Sequence, residues 1–349
     1  MDNSTLKLRD SDYILRDKNG QEYTFVRSAS RTFSRLKLDS LGIEIIEGLA
    51  KCQDTEENLI RRLSANYSSR NILGCIDSLK REGVIVQSNK TDRPERYTRQ
   101  LSFFDDLTDS PEESEEMQRK IEESKIAVFG VGGIGSWIVN GLGQIGVGEI
   151  RIIDPDIVSI SNLNRQIGYN KRDMGRYKVE ALVSNFPDFN LIPFRNRVSE
   201  IEDLSDIIEG CTFLVNCADQ PSIVDTTKII DGYARKREIP YSIAGGYNMH
   251  LGMIGPIIIP GKSACFDCFL AYQKENDPLK DLAKVKEVSS TGNFGPIAGA
   301  IGNLHVMDIA KFLLGKGSIN IERFAEIDFL DLSVEWREFT KQINCPNCK

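Results

Sequence analysis

A glycine-rich turn in the middle of the chain has the composition of a phosphate-binding site. The apolar run Ile126–Phe129 is typical of a buried strand, and Ser136 to about Gly146 has the periodicity of an amphipathic helix. Glycines between them let the backbone turn tightly and approach phosphates at a helix N-terminus. They are Gly130, Gly132, Gly133 and Gly135. The spacing predicts that this turn binds a nucleotide.

Polar residues beyond the turn favour a nucleotide whose phosphates react. Asp154 ends the next predicted strand, where a carboxylate can accept a hydrogen bond from a ribose hydroxyl. Asn162, Arg165 and Lys178 follow, and they supply one amide and two cations where a triphosphate would lie. Hydride transfer does not need these cations, whereas phosphate chemistry does. An NAD-dependent enzyme is the alternative that the glycine pattern alone allows.

One acid follows another predicted strand. Thr212–Cys217 is apolar enough for a buried strand, and Asp219 comes just after it. Ligands bind at the carboxyl ends of parallel strands, and a carboxylate is the hard oxygen ligand that Mg²⁺ prefers. Singly, Arg165 and Lys178 could be solvated surface charges. Together with Asp219 and the glycine turn, they predict a site for phosphates and Mg²⁺.

Two CxxC pairs indicate a metal site that holds the C-terminal tail. Their residues are Cys265, Cys268, Cys345 and Cys348. Four thiolates in two such pairs suit tetrahedral zinc, and a site with four protein ligands is closed and structural. The alternatives are four unrelated thiols or redox pairs. The remaining cysteines have apolar neighbours and are expected in the core; they are Cys52, Cys75, Cys211 and Cys217.

Length and charge narrow the class of protein. The 349 residues are enough for two domains with full cores. The net charge of −7 argues against a general nucleic-acid binder. The sequence shows neither a signal-peptide pattern nor a run of about 20 apolar residues, so we expect a cytosolic protein with reduced thiols and no membrane partner. Its two histidines, His250 and His305, are expected to be structural.

The alternation of elements from Lys125 onward predicts an α/β fold with a mostly parallel, Rossmann-like sheet. Beyond the strand at Glu149–Ile153, further predicted elements are strands at 191–195, 241–244 and 250–259 and helices at about 222–236 and 297–314. The predicted nucleotide-binding domain covers residues 111–349 and ends at the zinc site.

Residues 1–88 are predicted to form a small separate domain. Strands at 6–15 and 23–26 flank the hairpin signal Asn19-Gly20. Three helices follow, the second starting at a capping-box pattern of Asp54 and Glu57, before a closing strand at 83–87. This order is that of a winged helix-turn-helix. It leaves DNA binding, packing, and peptide capture at the hairpin edge near Tyr23–Val26 as alternatives. Residues 89–110 are predicted to begin with a linker, because Ser88–Glu95 is polar and broken by proline.

The motifs in combination resemble the ubiquitin-activating-type, ThiF/MoeB-like adenylyltransferases over about residues 95–349. They are GVGGIGS, IIDPDIV, SNLNRQ, NCADQ, the CxxC after PGK, and CPNC. The resemblance implies a homodimer that uses ATP and Mg²⁺ to adenylate the C-terminal carboxylate of a peptide or protein. It places Gly133 in the nucleotide loop, Asp154 at the ribose, Asn162, Arg165 and Lys178 at the phosphates, Asp219 at Mg²⁺, and Arg99 in the partner subunit's site.

Two departures from the family pattern qualify these expectations. Residue 220 is Gln where many relatives have Asn, which affects contacts on the adenine side. The segment Val285–Pro296 has no cysteine, although relatives that form a thioester often have one there. We therefore expect the reaction to stop at adenylation, or the acyl group to pass to a nucleophile other than a thiol.

A winged-helix domain before an adenylating domain is similar to enzymes of ribosomal peptide natural products, of the microcin C and pantocin types. That resemblance implies that residues 1–88 clamp a precursor or leader peptide. It leaves open whether a C-terminal asparagine carboxylate or a glutamate side chain is activated. An adenylyltransferase for a sulfur carrier or ubiquitin-like protein is the alternative.

Overall fold

The chain forms two compact units, residues 1–119 and 120–349. The computed structural model describes residues 5–9, 12–20, 22–27, 31–88, 94–108, 110–201, 204–280, 282 and 292–348. The sequence predicts a different division of the chain, into a small domain at 1–88, a linker at 89–110 and a nucleotide domain at 111–349. That division remains a prediction.

The first unit combines two small antiparallel sheets with helices. Its strands are β1 Thr5–Leu8, β2 Asp12–Arg16, β3 Glu22–Arg27, β4 Thr32–Lys37, β5 Asp54–Thr55 and β6 Ile85–Ser88. Its helices are α1 Ser40–Leu49, α2 Glu56–Leu63, α3 Ser69–Arg81, α4 Thr98–Asp105 and α5 Pro111–Glu122, the last of which runs into the second unit. The sheets have the orders β5-β1-β6 and β2-β3-β4. Their shared core includes Leu6, Phe25, Ile45 and Ile76.

Three sequence predictions for this unit were wrong in detail. The predicted strand at 6–15 is two strands in different sheets, and β4 was missed. As a result β3, which holds Tyr23–Val26, is the central strand of its sheet and not an edge. Helix α2 is capped by Thr55, which accepts from the Asn58 N–H. Asp54 lies one residue before the cap, and its Oδ1 accepts from the Thr55 N–H instead.

The second unit is built on a six-stranded sheet of order β14-β11-β10-β7-β8-β9. Its strands are β7 Lys125–Phe129, β8 Glu149–Ile153, β9 Leu191–Phe194, β10 Phe213–Asn216, β11 Tyr241–Ile243 and β14 Ile257–Ile258. Neighbouring strands pair in parallel except β14, which is antiparallel to β11. This confirms the mixed α/β fold with a parallel sheet. The central strands β7 and β10 are buried along nearly their whole length, so their apolar side chains point into the core on both faces of the sheet.

Helices and a second sheet complete this unit. The helices are α6 Gly133–Ile145, α7 Lys178–Asn185, α8 Ser205–Ile208, α9 Ile223–Arg237, α10 Phe266–Glu275 and α11 Gly295–Leu314. The second sheet is antiparallel with the order β12-β13-β15-β16, from β12 Tyr247–Asn248, β13 Leu251–Ile254, β15 Arg323–Asp328 and β16 Ser333–Glu338. The predicted strand at 250–259 is β13 and β14, which lie in different sheets.

The order of the parallel strands places a ligand site between β7 and β10. From β7 the chain proceeds outward through β8 and β9, then returns to β10 on the other side of β7. The loops after β7 and β10 therefore diverge and leave a crevice at the carboxyl end of the sheet.

Helix α11 has the length and apolar composition of a membrane span, and half of it is buried inside the protein. Core helices of soluble proteins meet the same two criteria, so the helix is no positive sign of a membrane protein.

Candidate active site

The glycine turn after β7 is held close to the loop after β10. Gly130 has a φ of +83°, and a Cβ there would lie 2.8 Å from the Cys217 carbonyl. Gly135 packs on the same turn, because its Cβ would lie 1.9 Å from the Gly130 oxygen. Gly132 precedes α6 and offers no side chain to cap it. The first N–H groups of α6 are thus left for a ligand, as an anion site requires.

Asp154 at the end of β8 supports the turn from the other side. Its Oδ2 accepts from the Val131 N–H at 2.8 Å, and its Oδ1 accepts from the Asp156 N–H at 2.8 Å. Burial raises the pKa of Asp154, while nearby Lys178 and the two backbone N–H groups lower it. The carboxylate predicted to bind ribose therefore also fixes the shape of the phosphate loop.

Lys178 lies at the first position of α7, and the residue is only 6% exposed. Its Nζ donates to Asp156 Oδ2 at 2.9 Å and lies 3.9 Å from Asp154 Oδ1. Two acids hold this cation in the crevice, which explains how it can be buried with its charge. Asp156, whose side chain is half exposed, was not singled out from the sequence.

Arg165 and Asn162 lie on a segment that is fixed by α6. The indole Nε1 of Trp137 donates to the Arg165 carbonyl at 3.0 Å. The Arg165 guanidinium donates to the Ser161 carbonyl at 2.6 Å and to Asn164 Oδ1 at 3.1 Å. Asn162 Oδ1 accepts from the Ser159 N–H at 2.9 Å. These bonds preorganise a cation and an amide at the crevice.

Asp219 lies in the loop after β10, which Asn216 shapes from inside the protein. The Asn216 amide donates to the hydroxyls of Thr226 and Thr227 at 3.0 and 2.8 Å, and its oxygen accepts from the Ala218 N–H at 3.0 Å. Asp219 itself is exposed. In the described part of the chain no cation pairs with it, so the carboxylate is available to a metal such as Mg²⁺.

These residues line one cavity of about 500 Å³, a size suited to a nucleotide. The predicted residues that line it are Gly130, Gly132, Gly133, Asp154, Asn162, Arg165, Lys178 and Asp219. Gln220, the departure noted above, also lines it. Gly135 does not line the cavity but packs against the Gly130 carbonyl of the turn. Arg99 is an exposed residue of α4 in the first unit, and its role across a dimer stays a prediction.

Several lining residues were not singled out from the sequence. Gln166, the last residue of the SNLNRQ motif, is 8% exposed, and its Oε1 has no hydrogen-bond partner among the described residues. Arg197 follows β9, 3.9 Å from Asp156. Tyr247 comes from β12, on the second sheet. Arg197 and Tyr247 belong to no motif, because each reaches the cavity through the packing of a separate element.

The four CxxC cysteines converge at the start of α10, as predicted. Their sulfurs lie within 4.8 Å of one another, with 3.4 Å between Cys265 and Cys345 and 3.5 Å between Cys268 and Cys348. A tetrahedral zinc with Zn–S bonds of about 2.3 Å puts sulfurs about 3.8 Å apart, so the set fits the metal. Backbone N–H groups of Cys265 and Gln342 point at two of the sulfurs, which stabilises thiolates.

The other cysteines and the histidines gave mixed outcomes. Cys211 is buried as expected, but Cys52 is exposed in the turn after α1, so its prediction as a core residue was wrong. Cys75 is partly buried, and Cys217 lines the cavity. Burial raises the pKa of Cys217, so it is a neutral wall of the cavity. His305 is buried on α11, which is consistent with a structural role.

Comparison with known proteins identifies the family. The ThiF family model matches residues 97–349. The SAMP-activating enzyme E1 of Haloferax volcanii is 26% identical over 237 residues, which are 67% of this chain and 83% of that protein. The sulfur carrier protein ThiS adenylyltransferase of Escherichia coli is 27% identical over 263 residues, 72% of this chain and 94% of that protein. The adenylyltransferase and sulfurtransferase UBA4 of Lodderomyces elongisporus is 29% identical, and the match covers only 57% of that protein.

Solved structures with the same fold extend over nearly the whole chain. MccB of E. coli, solved with succinimide, has a TM-score of 0.72 and 19% identity, and the match covers 99% of this chain and all of that one. PaaA has a TM-score of 0.72 and 21% identity over 95% of this chain and all of that one. At these identities the likeness is one of fold. The family match, together with the phosphate crevice, argues against the hydride-transfer alternative. The chain belongs to the ThiF family and is an ATP-using adenylyltransferase.

Proposed function

We propose that this protein adenylates a carboxylate of a ribosomally made precursor peptide in the biosynthesis of a modified peptide antibiotic. The choice of a peptide substrate is supported by how much of the chain is similar to each kind of relative. The family model begins at residue 97, whereas the likeness to MccB covers 99% of the chain and so includes the unit before it. One of the MccB structures is a complex with AMPCPP and MccA. A cytosolic enzyme of this kind needs both a nucleotide site and a peptide site.

The first unit supplies the peptide site in this proposal. In the described part of the chain, β2 and β4 each pair on one side only, so they are edges that a peptide strand could extend. Tyr13, Leu15 and Phe33 on these strands are 53%, 53% and 63% exposed. They would contact side chains of the added strand. Residues 1–88 then act as a winged-helix clamp, residues 89–110 as a linker that crosses a dimer, and residues 111–349 as the adenylation domain.

The reaction is a nucleotidyl transfer with no acid–base step. A carboxylate oxygen of the peptide bonds to the α-phosphorus of ATP, and the bond from that phosphorus to the bridging oxygen breaks. The products are the acyl-adenylate and pyrophosphate. The attacking group is already ionised near neutral pH, because carboxyl pKa values lie near 4. The chain's part is therefore to orient the two reactants and to stabilise the charge on the phosphates.

Each cavity residue has a part in that task. The uncapped N-terminus of α6, Arg165 and Lys178 would hold phosphate oxygens, and Asn162 would add an amide donor. Arg99 of a second copy would complete the set of cations. Asp219 would hold Mg²⁺, which neutralises phosphate charge when bound. The cysteine cluster would hold a structural zinc, away from the chemistry.

A sulfur-carrier or ubiquitin-like protein is the second candidate substrate, favoured by the names of the curated relatives. Pyrophosphate exchange into ATP separates the two. We would supply the purified full-length chain with a synthetic peptide, encoded by a short reading frame beside its gene, or with a carrier protein ending in Gly-Gly. Exchange that depends on the peptide supports the proposal, and exchange only with the carrier overturns it.

A variant pair shows that the exchange comes from this cavity. Asp219→Ala removes the proposed Mg²⁺ ligand and no core group, so exchange should fall at least a hundredfold without a change in melting temperature. Asp206→Ala changes an exposed acid of α8 and should leave exchange unchanged. Salt-dependent binding of duplex DNA by the chain, with no peptide binding, would instead favour the DNA-binding reading of the first unit.

A further inference from the structure

Tyr247 brings a hydroxyl group to the N-terminus of α6 from outside the nucleotide-binding motifs. A Cβ added to Gly133 would lie 2.9 Å from the Tyr247 hydroxyl oxygen, so this oxygen lies directly over the first residue of the helix. Gly133 is also the residue that the family pattern places in the nucleotide loop. The hydroxyl therefore lies at the N-terminus of α6, in the same cavity as the glycine turn and near the helix N–H groups that a phosphate would meet.

The backbone of Tyr247 is held by its own strand, and its hydroxyl lies beside Arg165. Tyr247 pairs with Gly252 in the ladder between β12 and β13, and the Gly246 carbonyl accepts from the Met253 N–H at 3.0 Å. The Arg165 guanidinium lies close enough to the Tyr247 hydroxyl to lower the pKa of the phenol. The ring thus lies between the second sheet, which positions its backbone, and a cavity cation.

The phenol proton of Tyr247 has no acceptor among the described residues. A guanidinium has N–H donors and no acceptor, so Arg165 cannot take this proton. Burial and nearby Asp219 raise the pKa of Tyr247, although Arg165 lowers it, so the phenol remains a donor at neutral pH. A donor aimed at a helix N-terminus beside an arginine suits one kind of acceptor, an anionic oxygen.

We propose that Tyr247 donates its hydroxyl hydrogen to a phosphate oxygen of ATP at the N-terminus of α6, and that with Arg165 it fixes the phosphate chain for attack. The inference deepens the proposed function and depends on it for the identity of the nucleotide. It adds a specificity element from the second sheet, so this sheet contributes directly to the nucleotide site. It also predicts selectivity for phosphorylated nucleotides over the nucleoside.

The test measures binding of ATP with Mg²⁺, and of adenosine, to the full-length chain by calorimetry. Tyr247→Phe removes only the hydroxyl oxygen of a half-buried ring. The dissociation constant for ATP should rise by about tenfold, as for a lost hydrogen bond to a charged group, while that for adenosine should stay the same. Tyr272→Phe, on α10 in an aromatic cluster, is the matched control and should bind both ligands as the wild type does.

The Tyr247 hydroxyl could donate a hydrogen bond to ATP, or the tyrosine ring could instead obstruct ATP binding. Tyr247→Ala distinguishes the two, because it removes the ring as well as the hydroxyl. Weaker ATP binding in both variants supports donation. Unchanged or tighter ATP binding in either variant overturns it, and so does an equal loss for ATP and adenosine. Melting curves without ligand show that the variants are folded. The wild type could bind ATP and yet show pyrophosphate exchange with neither the peptide nor the carrier protein. The proposed function would then fail, but the comparison of ATP with adenosine would still decide the role of Tyr247.

Discussion

The carboxylate of Asp154 accepts a hydrogen bond from the backbone N–H of Val131, over 2.8 Å. Its second oxygen accepts from the Asp156 N–H, so both oxygens are bonded to backbone donors. Asp154 ends β8 and Val131 lies in the turn after β7. The bond thus connects the sugar end of the predicted nucleotide site to its phosphate end, and one side chain supports both.

This arrangement predicts that Asp154→Asn damages stability and nucleotide binding together. An amide has one oxygen and one NH₂, so one of the two backbone N–H groups would face another donor. We expect a loss of about 1–3 kcal/mol in the free energy of unfolding and weaker ATP binding. Urea denaturation and calorimetry measure the two effects. Asp188→Asn, at an exposed position, is the control, and wild-type stability in the Asp154 variant would contradict the prediction.

Arg99 is predicted to act in the partner subunit's site. The segment Arg96–Gln100 precedes the nucleotide domain along the chain, and the family resemblance places this arginine across the dimer. Arg99→Ala and Asp219→Ala chains should each lack pyrophosphate exchange. Mixed chains should recover up to about a quarter of wild-type exchange, since half of the dimers are mixed and each has one intact site. No recovery, with mixed dimers shown by mass spectrometry, would place Arg99 outside the partner's site.

The cysteine cluster is predicted to hold one zinc ion per chain. Metal analysis of protein purified without chelator should find it, and Cys348→Ser should lower both the zinc content and the melting temperature, because the ligand set is incomplete. Cys52→Ser changes an exposed thiol and should do neither. A folded protein with well under one zinc per chain would contradict the assignment.

His305 predicts a specific pH dependence of stability. The residue is 1% exposed, and burial lowers its pKa to about 4. The unfolded chain binds a proton at His305 below about pH 6.5, whereas the folded chain does not until about pH 4. Its stabilising effect is therefore complete above pH 6.5 and is lost as the pH falls toward 4.

The corresponding experiment compares wild type with His305→Gln in urea at pH 7.5 and pH 5.0. The wild type should lose about 2 kcal/mol more than the variant over this interval. Parallel pH profiles for wild type and His305→Gln would show that His305 is protonated in the folded state.

The parts of the site that depend on neighbouring residues could be predicted from the sequence. The glycine turn, Asp154 and the pair Arg165 and Asn162 lie on one strand–helix–strand segment, where spacing alone determines which groups face the crevice. Asp219 followed from the rule that parallel strands bind ligands at their carboxyl ends. The same reasoning found the cysteine cluster, because two pairs with zinc spacing are informative wherever they lie in the chain.

Residues that reach the cavity through tertiary packing could not be predicted in this way. Tyr247 belongs to a two-residue strand whose position depends on its pairing with β13. Gln166 has an unpartnered oxygen that only the packed structure reveals. The missed strand β4 has a similar cause: its side chains are mostly exposed, so it lacks the apolar pattern that identified the buried strands.

The cysteine cluster joins two points that are far apart in the chain. Cys265 and Cys345 are 80 residues apart in sequence, and α11, β15 and β16 lie between them. A metal ion bound by both pairs closes this segment into a ring. By analogy with a covalent cross-link of that length, ring closure removes conformational entropy worth about 4 kcal/mol from any unfolded state in which the metal stays bound. β15 and β16 belong to the same sheet as β12, which carries Tyr247, so a metal that closes this ring would also help to keep that sheet assembled.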